Sequence, residues 1–67
     1  MKILMVVTVQ GDEISRHVLE LECLPRKGEI VWWMDDMFQV EQVYHYADND
    51  PHLNPSEYRA RIQVMEA

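Results

Sequence analysis

The chain is 67 residues long, 48% hydrophobic, and carries twelve acidic against six basic residues for a formal charge of −6. The hydrophobic share excludes a disordered tail. The acid surplus excludes direct nucleic-acid binding, which rests on lysine and arginine meeting phosphates, and docking on anionic membranes. One domain over residues 1–67 is expected, and a core this small gains from self-association.

One cysteine, Cys23, rules out an intramolecular disulfide and a cysteine-rich zinc module. The longest apolar run, residues 3–7, is too short for a membrane span or a signal peptide. A cytoplasmic protein with a reduced thiol is the expectation.

Strand alternation dominates, in five runs. The first covers residues 2–9, with Ile3, Met5, Val7 and Val9 on one face; it is apolar on both faces through Val7, the pattern of a central or covered strand. Gln10-Gly11-Asp12-Glu13 is a turn, with Gly11 suited to positive φ. The second run is residues 16–24, where Leu19, Leu21 and Cys23 alternate with Glu20 and Glu22. A helix over 14–24, with Asp12 or Ser15 as a possible N-cap, competes for it; β-branched Val18 and the strict alternation favour the strand.

Pro25-Arg26-Lys27-Gly28 closes that run, glycine accepting a left-handed exit. The third run, residues 29–34, holds Ile30, Val31, Trp32 and Trp33, and Asp35-Asp36 is the expected corner into the fourth, residues 37–47. There the apolar positions read Phe38, Val40, then Val43. The step of three predicts a bulge or sharp bend near Glu41-Gln42. Residues 48–56, with two prolines, two asparagines and two aspartates, read as a loop. The last run, 57–65, alternates Tyr58, Ala60, Ile62 and Val64 against Arg59, Arg61 and Gln63.

Five short strands with tight turns predict an all-β fold, a small, strongly bent SH3-like barrel that hides its edges by closure. An OB-like or Sm-like barrel, or an α+β arrangement with 12–21 helical, are the alternatives. Leu24-Pro25-Arg26-Lys27-Gly28-Glu29-Ile30-Val31, followed by Phe38-Gln39-Val40-Glu41-Gln42-Val43-Tyr44-His45, resembles a pattern of uncharacterised small β-barrel proteins of bacteria and phages, often encoded beside mobile elements. The resemblance implies a barrel and brings no activity with it.

Candidate chemistry is sparse. His45, between Tyr44 and Tyr46, reads as a ligand contact or base at the barrel mouth, or more plainly as a packed histidine bonded to a carbonyl. His17, His45 and His52 are too scattered to suggest a zinc site. Asp48-Asn49-Asp50 opens like a calcium loop, but Leu53 and Arg59 stand where glycine and a bidentate acid belong. No metal or cofactor is expected.

Trp32 and Trp33 point to opposite faces, so one of them with Tyr44, His45 and Tyr46 forms a candidate interaction patch. Glu20, Glu22, Asp35, Asp36, Glu41, Asp48 and Asp50 form a candidate acidic surface, read either as ordinary solubility or as a face for a basic partner. The expected function is a non-enzymatic protein-interaction module, with a homodimer as its expected state. The alternatives are an acidic, phage-encoded inhibitor of a nucleic-acid-handling protein, and a small-molecule or catalytic site around His45.

Overall fold

The structure, a computed structural model, describes residues 1–46 and 58–67. Five strands form one mixed sheet: β1 (Lys2–Val9), β2 (Asp12–Glu20), β3 (Ile30–Trp33), β4 (Asp36–His45) and β5 (Ala60–Glu66), in the spatial order β2-β1-β5-β4-β3. The sheet curls into a half-barrel, the small, strongly bent all-β form expected from the alternation. Residues 12–20 are strand, so the helix weighed for 12–21 does not form.

β1 lies between β2, antiparallel, and β5, parallel, in the register Ile3↔Ala60 to Val7↔Val64. That position explains its unbroken apolar run. Ile3, Met5 and Val7 face the concave core, while Leu4, Val6 and Thr8 are buried on the opposite side. Leu19, Val31, Phe38, Val40, Ile62 and Val64 complete the core. The Thr8 hydroxyl satisfies itself on the Val64 carbonyl at 3.2 Å.

Two bulges bend the sheet. Ile14 is the extra residue on β2, where pairing steps from Val7↔Ser15 to Thr8↔Glu13. Glu41 is the extra residue on β4, between Val40↔Val64 and Gln42↔Gln63, where the step of three placed it. A bulge leaves one residue unpaired and increases the local twist. The curl lets one side chain from each of the two outermost strands meet on the concave side, with the His17 and Trp33 ring centroids 4.1 Å apart.

Four sequence-based boundaries move. The second strand starts at Asp12, because the Gln10-Gly11 corner (φ 52° and 85°) extends the hairpin to Val9↔Asp12. It ends at Glu20, past which Leu21 and Met1 still exchange two hydrogen bonds, and Cys23 is exposed in irregular chain despite its alternation with Glu22. The third-to-fourth corner is Met34-Asp35, not Asp35-Asp36, since Trp33↔Asp36 is the closing pair. The last strand begins at Ala60. The loop reading of 48–56, the calcium-loop reading and the assignments to Asp48, Asp50 and His52 lie outside the described residues.

Candidate functional site

The edges of the half-barrel differ in chemistry. On β2, the Leu21 N–H donates to the Met1 carbonyl at 2.9 Å. Antiparallel ladders alternate bonded and unbonded pairs, so Arg16, Val18 and Glu20 turn their peptide groups away from β1. This edge carries charge: Arg16 holds Glu13 through Nε–Oε2 at 2.8 Å and Nη2–Oε1 at 2.6 Å. The hydrogen-bonded Arg16 guanidinium lowers the Glu13 carboxyl below its ordinary value, and the Glu13 carboxylate raises Arg16 above its own. Charged side chains are a common guard on exposed strand edges.

β3 itself, Ile30–Trp33, carries no charged residue. The Val40 N–H donates to the Glu29 carbonyl at 2.9 Å, and the Gly28 N–H to the Val40 carbonyl at 2.8 Å. In the same alternation Val31↔Phe38 and Trp33↔Asp36 are the bonded pairs, and Ile30 and Trp32 turn N–H and C=O away from β4. Their side chains share the convex face. Trp32, 68% exposed, stands opposite Met37, and Ile30 opposite Gln39, whose other neighbour is Met65. Met34 is 74% exposed at the hairpin tip, at a φ of 52°. Ile30, Trp32, Met34, Met37 and Met65 thus form an apolar patch bordering an edge that is unpaired among the described residues.

Two clefts meet at Trp32. One, of about 520 Å³, runs along the β3 edge, with Leu21, Glu22, Cys23 and Pro25 as its far wall. The other, of about 320 Å³, is lined by Trp32, Asp35, Asp36, Met37, Glu66 and Ala67. A third groove, of about 550 Å³, adjoins the edge cleft at Pro25 and holds His45 with Arg26, Lys27, Gln42 and an apolar floor of Leu24, Pro25 and Val43.

The five aromatic candidates are not brought together. Trp33 faces inward, half-buried against Phe38 and His17. Tyr44 lies on the convex face under the Arg61 guanidinium, 5.1 Å from its ring centroid. It stands seven residues along β4 from Met37, roughly 20 Å from the Trp32 row. Tyr46 packs on Tyr58, ring centroids 5.6 Å apart. Only Trp32 of the five belongs to the β3 patch.

Of the acidic candidates, Glu22, Asp35 and Asp36 line the two clefts. Glu20 sits on the β2 edge, and Glu41 at the bulge accepts from the Thr8 hydroxyl at 3.4 Å. Glu29, Ile30, Met34, Met37, Met65 and Glu66 were not singled out from sequence. Finding them needs the hairpin register, which places Met37 rather than Gln39 beside Trp32. Among the described residues no three His, Cys, Asp or Glu side chains gather as a metal site, and no helix is long and apolar enough to cross a membrane. No family model, curated protein or solved structure matches this chain.

Proposed function

We propose that this protein is a non-enzymatic interaction module that takes an extended segment of a protein partner onto the β3 edge, with Trp32 as the anchor. The observation that carries the reading is the outward-turned peptide groups of Ile30 and Trp32 beside an exposed apolar patch. Strand addition draws affinity from such main-chain groups and specificity from pockets for alternate side chains. Exposed tryptophan is the residue type most enriched among energetic anchors of interfaces.

Met34 supports the same reading. A β-hairpin corner with left-handed φ favours asparagine, aspartate or glycine, and an exposed methionine there serves neither the turn nor solubility. It does supply a flexible, polarisable contact for a partner.

The test is partner retention from source-cell extract on immobilised protein. Wild type and Tyr44→Ala should retain the same partner, and Trp32→Ala should lose it while keeping its fold by circular dichroism. Loss with Tyr44→Ala and retention with Trp32→Ala would place the interface elsewhere.

A further inference from the structure

We infer that the segment this edge accepts is basic, with lysine or arginine at alternate positions and apolar residues between them. The inference rests on the strand-addition reading and adds the chemistry of the occupant.

Among the described residues the two clefts along β3 contain Glu22, Glu29, Asp35, Asp36 and Glu66, and no Lys, Arg or His. Arg26 and Lys27 precede β3 by only a few residues, yet they line the neighbouring groove with His45, on the other side of Pro25. Among the described residues Glu22, Asp35, Asp36 and Glu66 make no ion pair. The indole of Trp32 lies between the two sets of carboxylates and is mostly exposed. A cation over an indole face is attracted by the ring quadrupole, and the flanking carboxylates add to that attraction.

Alternation follows from strand geometry. Successive side chains of an added strand point to opposite faces. Those on the convex side meet Trp32 and the carboxylates of the hairpin end. Those on the other side meet Leu21 and Pro25 on the far wall of the edge cleft. Cations belong on the first face and apolar side chains on the second. A second copy of the chain suits the edge less well, because it brings its own charge of −6 to a carboxylate-lined cleft.

The probe is a blocked heptapeptide alternating lysine with valine, titrated into the isotopically labelled protein and followed by amide NMR. A glutamate–valine peptide of the same length is the control. The lysine peptide should shift the amides of residues 28–33 most, slow hydrogen exchange at Ile30 and Trp32, and bind at least about tenfold more tightly than the glutamate peptide. Raising salt to about 0.5 M should shrink that ratio, since charges are then screened within a few ångströms. Asp35→Asn combined with Asp36→Asn should shrink it as well; asparagine tolerates the left-handed φ of position 35, so the corner survives.

Equal binding of both peptides at β3 would overturn the charge preference and leave strand addition standing. Binding of the lysine peptide with residues 28–33 unmoved would overturn both. No peptide binding, with a dimer by sedimentation that Trp32→Ala dissolves, would make a second copy the occupant and overturn the inference while keeping the edge.

Discussion

Met34 and Asp35 turn the β3–β4 hairpin at φ of 52° and 66°, a region that costs a residue with an ordinary side chain about 1–2 kcal/mol. Aspartate relieves part of that cost through its short polar side chain; methionine does not. Met34→Asn should therefore stabilise the fold by about 1 kcal/mol and raise Tm by roughly 4–8 °C in calorimetry. It should weaken partner binding at the same time, since the thioether leaves the patch. An unchanged or lowered Tm would contradict the left-handed corner.

Glu13 offers a second test at this scale. Its side-chain hydrogen bonds to Arg16 hold the carboxyl below its ordinary 4.5 in the folded chain. A depressed folded-state pKa gives stability that is present above the unfolded value and is lost as pH falls through the folded one. The Glu13 carboxyl resonance should titrate with a midpoint below 4.5, and Arg16→Gln should return it towards that value. A midpoint at or above 4.5 in the wild type would mean the pair does not hold in solution.

Among the elements, β4 carries the clearest sequence signal of the fold. Phe38 and Val40 face the core, and so does Val43 three places on, because Glu41 takes up the odd residue. Deleting Glu41 would turn one half of the strand inside out. The deletion should leave the chain unfolded at 25 °C by circular dichroism; a folded deletion would show that the bulge does not set the faces. Ile62→Ala on β5, a fully buried position, should cost about 2–5 kcal/mol in denaturant unfolding, and a cost below about 1 kcal/mol would deny Ile62 its place at the centre of the core.

Faces were legible in the sequence wherever one side of a strand is buried, because a period of two then appears in the residues themselves. β1 was placed to the residue, and Gly11 and Gly28 do take positive φ (85° and 91°). Pairing was not legible. Nothing local in residues 2–9 or 60–66 announces that β1 and β5 run parallel. The site followed the same division. Trp32 stood out as a residue, whereas its neighbours Met37, Met65 and Glu66 come from three registers that only the folded sheet supplies. Placing the corner one residue late hid the match of Trp32 with Met37.

In the whole molecule, a small core and an incomplete barrel lead to one consequence. Among the described residues β2 and β3 are the outermost strands, and the strand addition proposed above rests on β3 being the one with no charged residue of its own. His45→Ala, in the neighbouring basic groove, should leave binding at β3 unchanged; a loss of more than about tenfold would move the site towards that groove. The net charge of −6 favours fast encounter with a basic partner, so association should slow steeply between about 50 and 500 mM salt while dissociation changes little.

Amide hydrogen exchange along β3 is the most direct test. In the unbound protein Val31 and Trp33 should be protected by β4 while Ile30 and Trp32 exchange quickly, and saturation with the lysine–valine peptide should protect all four. Protection of Ile30 and Trp32 before the peptide is added, or fast exchange at both after it has saturated, would contradict strand addition at this edge.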